Sequence, residues 1–120
     1  MIGYPNELGQ AVLNILNNAK DALIDNNITN KLVSIEIMEV NQRVHLIISD
    51  NAGGIPDEII ENIFDPYFST KDDKNGTGLG LYMTKMIIEE HMNGDITVSN
   101  GDNGAIFTIV LEQVKGKENV

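Results

Sequence analysis

Cysteine is absent from this 120-residue chain, so neither a disulfide framework nor a thiolate zinc site can hold it together. That absence fits a reducing compartment. No apolar run approaches the roughly 18 residues that a membrane span needs, and the opening residues do not read as a basic-then-apolar secretory leader. Positive charge is scarce: eight Lys plus Arg stand against eighteen Asp plus Glu, a net charge of −10. Phosphate backbones attract basic surfaces, so nucleic acid is not expected as a partner. Any anionic ligand would need local cations, backbone N–H groups or a metal ion, while the acidity itself also keeps a domain soluble. What is present is a 42% hydrophobic content, enough for a packed core in one domain of this length.

The course of the chain follows from its periodicities. Residues 6–26 read as an amphipathic helix with Leu8, Val12, Ile15, Leu16, Ala19 and Leu23 as its apolar stripe. "LVSIEIMEV" and "RVHLIISD" alternate with period two and predict neighbouring antiparallel strands turned at Asn41-Gln42. "NAGGIP" is a loop, "PDEIIENIF" a short helix with Pro56 in its first turn, and "DPYFSTKDDKNGTG" an aperiodic surface loop. Residues 79–92 predict a second long helix, with Leu81, Met83, Ile87 and Ile88 as apolar contacts. "DITVSN" and "AIFTIVLEQV" are two further strands turned around "GDNG", and "KGKENV" is a polar tail. This order predicts an α+β fold, a two-layer sandwich with helices on one face of a sheet and a ligand pocket between the layers.

Three features exceed what a core requires. On the first helix, Asn14, Asn17, Asn18 and Asp21 fall within a sector of about 100°, a face that a solvated surface would also explain. Asparagine is a mediocre helix former, but its neutral carbonyl oxygen is a hard ligand of the kind Mg²⁺ accepts beside phosphate oxygens. On the second strand, alternation puts Asp50 on the same face as Val44, Leu46 and Ile48. A carboxylate there needs hydrogen bonds, from backbone in the following turn or from a ligand amine such as that of adenine. Gly53 and Gly54 then let the chain pass close to a flat ring. In "GTGLGL", Gly76, Gly78 and Gly80 enter a helix where glycine costs about 1 kcal/mol relative to alanine. Bare backbone at a helix N-terminus is a phosphate cradle, and Lys71 and Lys74 just before it are each within reach of a phosphate. The spacing is neither the dinucleotide fingerprint nor a P-loop.

The asparagine helix, the Asp with its glycines, "IFDPYFSTK" and "GTGLGL", in this order, resemble the ATP-binding catalytic domain of sensor histidine kinases, within the GHKL group that includes gyrase-type and mismatch-repair ATPases. The resemblance runs from about "GYPNEL" to the last strand. It implies the Bergerat fold, a mixed and mostly antiparallel sheet with about three helices on one face. Residues 1–114 would form the ATP-binding domain and 115–120 a polar tail. Carried over by position, "NILNNAKDAL" is similar to the N box, with Asn18 as Mg²⁺ ligand and Asn14 near the phosphates. "DNAGGI" is similar to the first glycine box, with Asp50 on the adenine amine and Gly54 and Ile55 beside the base. In "IFDPYF", Phe64 and Phe68 would anchor the ATP lid. Gly76, Thr77, Gly78, Leu79, Gly80 and Leu81 would lie along the phosphates, with Lys71 as a charge-neutralising group.

The departures carry information. Ala52 replaces the first glycine of its box, and Asp21 stands where some relatives have a phosphate-binding lysine; "NAKDAL" is closer to the nitrogen-regulation type of sensor kinase. Asn14 stands where hydrolysing relatives have a glutamate that activates water. An amide cannot act as a general base, so hydrolysis should be slow and the γ-phosphate kept for a histidine acceptor. Neither His45, on a strand, nor His91, at a helix end, has the setting of a phosphoacceptor. On this resemblance the chain reads as an N-terminally trimmed fragment of a kinase that lacks the phosphoacceptor, expected to be monomeric and cytoplasmic, whose parent can be membrane-anchored. Its partners would be ATP, the parent's dimerisation helices and, indirectly, a response-regulator receiver domain. A self-sufficient ATPase and a non-enzymatic ATP-sensing module are the alternatives.

Overall fold

The computed structural model describes residues 5–66 and 80–112. Helix α1 spans Pro5–Asp25, opening on a proline whose missing N–H costs nothing in a first turn. Ala11, Ile15, Ala19 and Leu23 recur every fourth residue and are buried, while Leu8, Val12 and Leu16 flank them against the core. Two of the four buried positions are alanines, so the helix backbone lies close to the sheet. The helix ends at Asn27, which takes the left-handed conformation (φ 55°) as the Ile28 N–H reaches back to the Leu23 carbonyl.

Strands β1 (Val33–Val40) and β2 (Arg43–Asp50) form a hairpin. Asn41 and Gln42 both have positive φ, the two-residue turn whose twist matches that of the strands. Strands β3 (Asp95–Asn100) and β4 (Ala105–Glu112) complete a sheet of order β1-β2-β4-β3. The sheet expected to be mixed is antiparallel at every pairing among the described residues. On the helix side, Ile48 pairs with Phe107 and Leu46 with Ile109, and Val98 and Ile96 lie opposite the same two β4 residues. Phe107, Ile15, Ile48, Ile88 and Ile109 are the large side chains sealed in this layer. Phe64 meets Phe107 edge-on at 6.2 Å.

Helix α2 spans Gly80–Met86 and continues into a wider turn, Ile87–His91, in which the Met92 N–H bonds to the Ile87 carbonyl. His91 Nδ1 lies 3.0 Å from Glu7 Oε2, tying this end to the first turns of α1. Asn93 (φ 58°) stops the helix, and a Cβ on Gly94 would stand 2.6 Å from the Val110 carbonyl oxygen, so the chain crosses β4 where only glycine fits.

Two local expectations are corrected. "PDEIIENIF" holds only a single tight turn, Ile60–Asn62, with the Ile59 and Ile60 N–H groups on the Pro56 carbonyl; so short a segment cannot repay the cost of helix nucleation. Met83 is 48% exposed, and Thr84 takes the inward position. Ile35 and Ile37 lie on the helix side of β1, opposite Ile48 and Leu46, yet are 49% and 72% exposed because the helices cover β2 and not this edge.

These environments predict a contrast. Phe107→Ala should cost about 3–5 kcal/mol by cavity formation, whereas Ile37→Ala should stay within about 1 kcal/mol. Denaturant titration measures both; equal losses would contradict the packing described.

Candidate functional site

On β2, β3 and β4 the inner face of the sheet is apolar until its last row. There Asp50 ends β2, Ala105 opens β4 and Asn100 ends β3, with Asn100 directly opposite Ala105. The β2–β4 register stops at Ser49 and Ile106; one step further sets Asp50 beside Ala105. Asp50 is half-buried. Its Oδ1 accepts the N–H of Ala52 at 2.9 Å and that of Ala105 at 3.3 Å. The first is the local turn bond that an inward carboxylate invites; the second crosses between strands. Oδ2 accepts no hydrogen bond among the described residues. The carboxylate is thus fixed through one oxygen and offers the other.

Gly104 makes this possible. A Cβ there would stand 2.1 Å from the Asp50 carbonyl oxygen and 2.6 Å from Oδ1, distances no side chain tolerates. The loop after Asp50 is held on both sides. Asn26 donates to the Ala52 carbonyl at 2.8 Å. Asn51 accepts the Leu32 N–H and donates to the Asn30 carbonyl. The Gly53 N–H donates to the Asn103 carbonyl at 2.9 Å. Gly53 and Gly54 both have positive φ, 102° and 89°, where L side chains are strained. Ile55 is bonded through both its N–H and its C=O to the Asn100 amide and packs against the core.

A second polar cluster joins the helices. Asn14 Nδ2 donates to Thr84 Oγ1 at 3.1 Å and lies 3.2 Å from the Gly80 carbonyl oxygen; Thr84 Oγ1 donates to the same carbonyl at 2.9 Å. Gln10 Nε2 donates to Asn14 Oδ1 at 2.9 Å. Thr84 is fully buried and its hydroxyl is satisfied. Asn14, Gly80 and, one residue on, Leu81 are therefore brought together where α2 begins. Asn18 and Asp21 follow Asn14 along the same helix and are half-buried.

Phe64 is half-buried against Phe107, with Lys85 Nζ 5.7 Å from its ring centre. Phe68, Lys71, Lys74, Gly76, Thr77, Gly78 and Leu79 lie outside the described residues. His45 is on β2 opposite Met38 and Val110. Sequence reasoning missed Thr84, Asn100 and Gly104 as supports of this region. Asn100 was accessible to it: in "DITVSN" the alternation Ile96, Val98, Asn100 sets a polar residue on the apolar face, the same signal that singled out Asp50.

The profile of the "Histidine kinase-, DNA gyrase B-, and HSP90-like ATPase" family matches residues 3–115. The chain belongs to this family. Among curated relatives, it is 37% identical over 112 residues to the two-component sensor PprA of Pseudomonas aeruginosa, covering 91% of the chain and 12% of that protein. It is 35% identical to sporulation kinase A of Bacillus subtilis, covering 89% and 17%. With the sensor histidine kinase ZraS of Salmonella typhimurium the figures are 36%, 96% and 24%. The chain therefore spans less than a quarter of the length of each of these relatives. Among solved structures, the nucleotide-free catalytic domain of histidine kinase ThkA matches with a TM-score of 0.76 at 31% identity, over 94% of this chain and 69% of that one. The mycobacterial sensor histidine kinase MprB matches with 0.79 at 27% identity, over 93% and 76%. Its relatives are sensor histidine kinases and its structural neighbours are their catalytic domains, so nucleotide binding is the family's implication for the site.

The crowding at Gly104 predicts that Gly104→Ala destabilises the domain by about 1–3 kcal/mol, as overpacking does. Gly9→Ala, with nothing within 4 Å of the added Cβ, should stabilise α1 by up to about 1 kcal/mol. Denaturant midpoints of the two variants decide; a neutral Gly104→Ala would mean that Asp50 is not packed as described.

Proposed function

We propose that this chain binds ATP with Mg²⁺ and transfers the γ-phosphate to a histidine on separate dimerisation helices of a two-component sensor kinase. The observation that carries the reading is the Asp50 carboxylate, anchored through Oδ1 by two backbone N–H groups with Oδ2 left to accept. An acceptor held at the mouth of an apolar layer, beside glycines that admit a flat ring, suits the exocyclic amine of adenine.

The remaining roles follow the chemistry of each residue. Gly54 and Ile55 would border the base. The backbone of Gly76, Thr77, Gly78, Leu79 and Gly80 would face the phosphates at the start of α2, where N–H groups and the helix dipole favour anions. Lys71 would neutralise charge on the transferring group, Leu81 would back the cradle, and Phe64 and Phe68 would seat the lid. The Asn18 amide oxygen fits Mg²⁺: it is a neutral hard donor on a half-buried stretch of α1. No group of three or more His, Cys, Asp or Glu among the described residues could hold a metal alone. The ion would accordingly share its coordination with phosphate oxygens, and it supplies charge neutralisation there.

Transfer forms a P–N bond to the acceptor imidazole as the bond from the γ-phosphorus to the bridging oxygen breaks and ADP leaves. Water is a poor competitor at this site. The Asn14 amide has no basic lone pair to take a proton, and its nitrogen and oxygen are already bonded to Thr84 and Gln10. This favours phosphotransfer over self-sufficient hydrolysis. The acceptor would come from another domain: His91 contacts Glu7, and His45 sits within the sheet. A response-regulator receiver would take the phosphate in a later step.

The test adds a separately made dimerisation domain to this chain with radiolabelled ATP. Acid-labile phosphate on the added domain's histidine is expected. Release of the label to water at the same rate without that domain would instead establish an autonomous ATPase. Asp50→Asn should lower ADP affinity at least about tenfold, because an amide can turn a donor toward the adenine amine. Unchanged affinity in calorimetric titration would remove Asp50 from the site.

A further inference from the structure

The side-chain amide of Asn100 pairs with one residue as a strand backbone would. Its Oδ1 accepts the Ile55 N–H at 2.8 Å and its Nδ2 donates to the Ile55 carbonyl at 2.7 Å. The β3–β4 turn does not need these bonds, because the Gly101 N–H closes it on the Gly104 carbonyl at 2.7 Å. The amide is therefore committed to the loop that follows Asp50. Gly54 is fitted to it: a Cβ there would lie 2.8 Å from Asn100 Oδ1, at a φ of 89° that already favours glycine. Asn100 also shares the last inner row of the sheet with Ala105, whose N–H holds Asp50. A single turn, residues 100–105, thus supports both the carboxylate and the far end of the loop.

From this geometry we propose that Asn100 is a positioning residue of the nucleotide site: its amide latches Ile55 and so holds the Gly53–Ile55 wall in the shape that receives the base. The inference rests on the nucleotide reading above and adds to it a residue that touches no ligand. Two consecutive glycines at positive φ have much backbone freedom to lose. With the latch in place that freedom is lost on folding. Without it, the loop must be ordered at binding, and the apparent affinity falls by the fraction of time the loop spends in the competent shape. A loop that is competent about a tenth of the time binds about tenfold more weakly.

The experiment is a calorimetric titration of the whole chain with ADP, comparing wild type, Asn100→Ala and Asn100→Asp, with amide hydrogen exchange at Ile55 followed in parallel. Asn100→Ala should bind about tenfold more weakly and lose protection at the Ile55 N–H. Asn100→Asp keeps the acceptor but sets an oxygen against the Ile55 carbonyl, so the near-isosteric carboxylate should not rescue binding. In the phosphotransfer assay with the added dimerisation domain, KM for ATP should rise by the same factor while kcat is unchanged, since the base end does not enter the chemistry. Wild-type affinity in both variants, or a fall in kcat at constant KM, overturns the proposal. Absence of ADP binding by the wild type would overturn the nucleotide reading itself, and this inference with it; binding by wild type and variants alike defeats the latch alone.

Discussion

A carboxylate at the end of an apolar sheet face is the constraint around which the rest of this end of the molecule is arranged. Removing Asp50 from water carries a penalty, and two N–H groups donated to a charged oxygen are bonds of the stronger kind. Because both donors meet Oδ1, the group is oriented as well as stabilised. Its second donor comes from β4, so the carboxylate also staples β2 to its neighbour one step beyond the last regular pair. That closeness leaves no volume for a side chain at residue 104. The glycine in the β3–β4 turn is explained by the strand it passes rather than by its own dihedral angles.

The helical layer uses polar atoms differently. Asn14, Thr84 and the Gly80 carbonyl form a closed triangle at the start of α2. Thr84 is the buried polar residue of the core among the described residues, and an unpaired hydroxyl there would cost about 1–3 kcal/mol. The triangle satisfies it and fixes where α2 begins relative to α1. The glycine-rich segment feeds directly into that point. An amide at residue 14 serves this joint through its N–H₂ group; a glutamate would lose both donations. Residue 14 therefore bears directly on the architecture of the helix pair.

Much of this was legible in the chain. Period-two alternation placed the first two strands and put Asp50 on the inner face; the helical stripe found α1; the turn between the first strands was anticipated at Asn41-Gln42. Motif order gave the family. What remained hidden depended on contacts between distant segments. Thr84 and Met83 differ by one position on α2, and which of them turns inward depends on how the segment packs against α1, where the Asn14 amide meets Thr84. "PDEIIENIF" has the composition of a helix, but its length leaves it a single turn. Ile35 and Ile37 alternate onto the helix side of β1, but sequence cannot say how far a helix reaches across a sheet. Gly104 reads as an ordinary turn glycine until Asp50 is set against it. Asn100 was within reach of the alternation rule and was overlooked because "DITVSN" ends in a turn, where asparagine is common.

Across β2, β3 and β4 the inner face divides into apolar rows and one polar end row, and on the proposed reading this division separates stability from recognition. Phe107, Ile109, Ile48 and Ile96 lie in the rows that exclude water, and Asp50 and Asn100 in the row where burial stops. A carboxylate or amide one row deeper would be sealed from solvent and from ligand alike; one beyond the sheet would lose the strand backbone that aims it. For a protein of net charge −10, long-range attraction cannot gather an anionic ligand. On the proposed nucleotide reading, recognition would come from short-range groups set in advance, and backbone N–H groups, amides and one fixed carboxylate are what this end of the fold provides.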